Sequence, residues 1–122
     1  MGFFIGNFNL LWIAALAIGI VIIVGFMMVS KRKKRQPVPV SYKLTHLIAT
    51  IIGAVIALVA AVMGDTRIWT NVILAVIIVI LGLVMAFGKL KKSSAKTILL
   101  FHAAIGIICY IIFVYYIIDL SF

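Results

Sequence analysis

Four apolar stretches, each long enough to cross a bilayer as a helix, alternate with short loops, two of which are strongly basic. The stretches cover residues 8–29, 44–63, 69–87 and 97–118. A helix of about 20 apolar residues, rising about 1.5 Å per residue, spans a hydrocarbon core of about 30 Å. The chain has 122 residues, of which 67% are hydrophobic and 11% charged. An average soluble domain is about 45–50% apolar and about 25% charged. A soluble fold of this length has no interior large enough for so much apolar surface, so lipid must be its solvent. The reading is an all-α membrane protein, one domain over residues 1–122, with four transmembrane helices in an up-down-up-down bundle.

The first apolar run is read as an uncleaved anchor. Its positive charges follow it instead of preceding it, and no A-x-A-like site closes it. The loop after it, residues 30–43, begins with Lys31-Arg32-Lys33-Lys34-Arg35 and contains Pro37 and Pro39, which favour extended backbone. Counting Lys43, it holds six basic residues, and the loop over 88–96 holds Lys89, Lys91, Lys92 and Lys96. The loop between the second and third spans has only Arg67. Basic loops stay on the cytoplasmic side, so both chain ends are expected on the other side. Trp12 suits an interfacial anchor, and Tyr115 and Tyr116 suit an interfacial belt.

The net charge of +9 is a topology signal. The basic residues are not interleaved with aromatics as in a nucleic-acid surface, and no nucleic acid is expected as a partner. The expected partners are the bilayer, other membrane subunits, and anionic lipid headgroups at Lys31, Arg32, Lys33, Lys34 and Arg35, at about 1 kcal/mol per charge. A bacterial or archaeal cell membrane is the expected location. The single cysteine, Cys109, excludes an intrachain disulfide and is read as a small packing residue.

In the second span Ala49, Gly53, Ala57 and Ala61 recur every four residues, so they share a helix face along which another helix can approach closely. The third span is almost entirely apolar and is expected to face lipid. A weak repeat links the two halves of the chain in parallel: Ser41-Tyr42-Lys43 leading to Gly53 matches Ser94-Ala95-Lys96 leading to Gly106. That register pairs His102 with Ala49.

The chemistry rests on two histidines. His46 opens the second span and His102 the fourth, and these spans run in the same direction. A register difference of three residues puts the two about 4.5 Å apart along the axis. Two imidazoles on facing helices can hold both axial positions of a haem iron. Ala49, Gly53 and Gly106 would leave room for the macrocycle, and Lys43 and Lys96 would meet its propionates at the cytoplasmic surface. In architecture this resembles the four-helix core of b-type membrane cytochromes such as the cytochrome b561 group. That resemblance implies haem b and electron transfer. The group's usual core has more histidines and two haems, whereas two histidines allow one haem here.

Other chemistries lack their residues. The only acids, Asp65 and Asp119, lie at the external boundary, so no membrane-embedded carboxylate is available for proton-coupled transport. No hydrolytic constellation, phosphate-binding loop or tetrahedral zinc set is legible, and the protein is expected not to be an enzyme. Against the cytochrome-like expectation stands a non-enzymatic one: an accessory subunit, or a bacteriocin-immunity-like or holin-like protein, acting through helix–helix contact.

Overall fold

The computed structural model describes residues 4–5 and 8–121. Four helices dominate it: α1 (Leu11–Lys33), α2 (Val40–Val62), α3 (Ile68–Phe87) and α4 (Lys92–Ser121). All four are long and apolar enough to cross a membrane. Two short strands precede them, β1 (Phe4–Ile5) and β2 (Phe8–Asn9), paired antiparallel with Phe4 opposite Asn9 and Ile5 opposite Phe8. Residues 1–3, 6–7 and 122 lie outside the description.

The helix limits depart from the apolar runs, for local reasons. Phe8 and Asn9 belong to a strand, not to the first helix. The Leu11 amide donates to Oδ1 of the buried Asn9 at 3.0 Å, satisfying one of the donors that a helix start leaves unpaired. At its other end α1 runs on into the basic run, where cations favour the negative end of the helix dipole. It stops with Arg35 in the left-handed region (φ 54°). The Arg35 amide donates to Arg32 O and the Gln36 amide to Lys31 O, the bond pair of a Schellman close. Gly64 (φ 114°) closes α2 in the same way, with its amide donating to Ala61 O and the Asp65 amide to Ala60 O. Helix α2 starts directly after Pro39, whose missing N–H costs nothing at a helix entrance. The connections are therefore shorter than the polar stretches of the sequence: residues 34–39 and 88–91 instead of 30–43 and 88–96.

The helices form two antiparallel hairpins, α1 with α2 and α3 with α4, joined by smaller α2–α3 and α1–α4 contacts. Helices α2 and α4 are diagonal neighbours across the bundle. The small-residue face of α2 is buried as its spacing requires: Ala49, Gly53, Ala57, Ala60 and Ala61. A Cβ on Gly53 would lie 2.9 Å from Ile18 Cγ1 on α1, so that close approach depends on glycine. Leu11, Ala14, Ala15, Ile68, Phe113 and Ile117 complete the core. This core fills only the half of the bundle away from the basic loops. Toward the basic end, no described residue of α1 beyond Ala17, α2 before Ala49, α3 beyond Asn71 or α4 before Cys109 is fully buried. Helix α3 turns most of its apolar surface outward.

Candidate functional site

His46 and His102 stand where the packed half of the bundle gives way to the looser one. Each is half-buried and held by the partner helix of its own hairpin. His46 Nδ1 lies 3.1 Å from the Val21 carbonyl oxygen on α1. His102 Nδ1 lies 2.9 Å from the Ile78 carbonyl oxygen on α3. A carbonyl oxygen only accepts, so Nδ1 carries the proton in both rings. In the neutral imidazole Nε2 then keeps its lone pair. Neither Nε2 has a hydrogen-bond partner among the described residues.

A glycine lies beside each ring. The nearest atom to a Cβ built on Gly25 is His46 Cε1, at 3.5 Å, and the nearest to one built on Gly82 is His102 Cε1, at 3.2 Å. The two rings approach each other across the bundle with centroids 6.5 Å apart and planes inclined by 44°.

The internal repeat takes a different register from the one its serines and lysines suggested. Three contacts in one hairpin have counterparts in the other. His46 on the Val21 carbonyl matches His102 on the Ile78 carbonyl. Gly25 beside His46 matches Gly82 beside His102. Gly53, whose Cβ would lie 3.6 Å from Ala14 O, matches Cys109, whose Sγ lies 3.7 Å from Asn71 O. His102 thus pairs with His46, not with Ala49. The physical reason is that packing contacts fix the register of a helix pair, while Ser41–Lys43 and Ser94–Lys96 lie at the helix entrances, where little packs.

The remaining sequence candidates are dispersed. Gly53 is turned toward α1, against Ile18 and Ala14. Gly106 is half-buried, with no other atom within 4 Å of where its Cβ would stand. Lys43 and Lys96 are exposed, nearer the basic end than the histidines. The sequence reading missed Val21, Gly25, Ile78 and Gly82. A signal for them exists: Trp12 precedes Gly25 by 13 residues, as Trp69 precedes Gly82, and a Leu-x-His follows each glycine on the next helix, Leu44-Thr45-His46 and Leu100-Phe101-His102.

Two polar contacts lie on the opposite side of the histidines from the basic end. Asn71 Nδ2 donates to Cys109 O at 2.8 Å and approaches Cys109 Sγ at 3.4 Å. Arg67 donates to Asp119 Oδ2 at 2.6 Å, lies 3.8 Å from Asp65, and stands over the Tyr116 ring at 5.4 Å. Among the described residues no three His, Cys, Asp or Glu side chains cluster, so the histidine pair offers a metal two protein ligands. The chain matches no family model, no curated protein and no solved structure.

Proposed function

We propose that this small multi-pass membrane protein is a b-type electron carrier holding one haem, which His46 and His102 would bind through its iron. The observation that carries the reading is the facing pair of imidazoles, 6.5 Å between centroids, with each Nδ1 tied to a backbone carbonyl. A ligand histidine is ordinarily held in this way: the bond on one nitrogen fixes the tautomer and makes the other nitrogen a better donor to the metal. The haem would supply one-electron exchange.

Two features of the surroundings support this reading. The fully buried core ends at Ala49 and Cys109, and the space beside Gly106 is free of side chains. Lys43 and Lys96 lie on the basic side of the histidines, suited to the acidic edge of a haem. The basic loops face the cytoplasm of a bacterial or archaeal cell in this reading, and the strands before α1 and the end of α4 face away from it. Lys31, Arg32, Lys33, Lys34 and Arg35 then meet anionic headgroups, each worth about 1 kcal/mol near the surface.

The test is an absorption spectrum of protein purified in detergent from haem-replete cells. A sharp reduced α-band and a Soret shift, stoichiometric with protein and lost in both His46→Ala and His102→Ala, are expected. A folded, colourless protein that takes up no added haem would end this reading and leave the accessory or immunity-like role, to be pursued through co-purifying membrane proteins.

A further inference from the structure

We infer that Gly25 and Gly82 are positioning residues: each uncovers the carbonyl four residues before it, so that a histidine of the neighbouring helix can bond there and leave its Nε2 free. The inference deepens the haem reading and takes its functional meaning from it. It stands on geometry that occurs twice, once in each hairpin.

In an α-helix the carbonyl of residue i points at the amide of residue i+4 and is engaged by it. The oxygen has a second lone pair. The side chain at i+4 stands beside that lone pair and normally restricts access to it. Val21 with Gly25, and Ile78 with Gly82, have the i and i+4 relation. In both, the histidine ring lies against the point where a side chain at i+4 would begin, 3.5 Å from it at Gly25 and 3.2 Å at Gly82. Its Nδ1 reaches the carbonyl at 3.1 Å in one hairpin and 2.9 Å in the other, with Cε1 beside the glycine. A bond between a ring and a main-chain carbonyl cannot be altered by a change of rotamer on the accepting helix. Each imidazole is therefore fixed by backbone, and both are fixed in the same tautomer.

The two seats are not equally tight. A methyl at residue 25 would meet His46 Cε1 at 3.5 Å, an ordinary contact, whereas one at residue 82 would meet His102 Cε1 at 3.2 Å, closer than such contacts normally come. Gly82→Ala must shift its histidine by a few tenths of an ångström, and Gly25→Ala need not.

Nitrogen-15 spectra of histidine-labelled protein in nanodiscs, recorded without haem, test the seats directly. Both imidazoles are expected as the Nδ1–H tautomer. Gly82→Ala is expected to move the His102 nitrogen signals and leave those of His46 in place, and Gly25→Ala to change His46 less. With haem present, Gly82→Ala is expected to weaken binding by about 10–100-fold, the usual loss when a supporting contact of a metal ligand is removed. An Nε2–H tautomer in the unsubstituted protein, or His102 signals indifferent to Gly82→Ala, would overturn the inference. The tautomer is read on the unsubstituted chain, so a variant that fails to fold does not shield the idea. A colourless protein with both seats intact would sink the haem reading alone. A red protein indifferent to Gly82→Ala in both signals and affinity would sink the seats alone.

Discussion

The two hairpins place their helices alike yet hold them together by different chemistry. In the first, Gly53 meets the backbone of α1 at Ala14 and the flank of Ile18. In the second, the equivalent positions are Cys109 and Asn71, joined by hydrogen bonds from the Asn71 amide to Cys109 O and Sγ. Lipid gives helices no hydrophobic reason to associate, so contact must come from close packing or from polar bonds. Beyond the His46 seat, a kind of contact that both hairpins share, the first hairpin uses packing. The second uses a polar clasp, incompletely: Asn71 Oδ1 is buried with no partner among the described residues. The pair teaches that the histidine seats do not depend on how the hairpin is closed further along. Both closures deliver an imidazole to the same level.

Substitutions can break or sharpen this comparison. The largest effect is expected from Gly53→Leu, because even a Cβ there would lie 2.9 Å from Ile18 Cγ1. Overpacking of this kind costs about 1–3 kcal/mol. Denaturant-induced unfolding in micelles, followed by helical circular dichroism, should show that loss. Unchanged stability would mean that the first hairpin does not rely on this approach. Asn71→Ala should cost less, about 0.6 kcal/mol, the average for hydrogen bonds between membrane helices, and no more than about 1.7 kcal/mol, their maximum. The same titration reads it. If the variant were more stable than the unsubstituted protein, the clasp would be a burden, and the second hairpin would be held by packing like the first.

The smallest effect is expected at Arg67, which joins the start of α3 to Asp119 near the end of α4. The first hairpin has no counterpart among the described residues. Arg67 and Asp119 have side chains 37% and 58% exposed, and an exposed pair is worth about 0.2–1 kcal/mol. Thermal melts of Arg67→Ala at low and high salt should differ from the unsubstituted protein chiefly at low salt, where screening is weak. A difference that persists in full at high salt would point to the stacking on Tyr116 instead of the ion pair.

Much of the scaffold was legible before any coordinates. Four spans, the buried face of α2 and the outward character of α3 follow from run length and four-residue spacing, which act locally. Helix limits were less legible. Asn9, Arg35 and Pro39 set them through single bonds and backbone angles that hydropathy does not register. His46 and His102 were legible as a pair, but not their partners. The acceptors are main-chain carbonyls, and a carbonyl has no letter in a sequence. The role of Gly25 and Gly82 exists only when a second helix lies against them.

The sequence by itself determined that the chain lives in lipid as four apolar helices, since no other solvent accepts that surface and no other backbone form satisfies its own amides in short open segments. The tertiary structure decided between two registers of the two halves that the sequence allows. Side-chain chemistry at the helix entrances suggested one alignment. Contact between helices, which depends on a few tenths of an ångström at Gly53 and Gly82, selected another and brought the two histidines together.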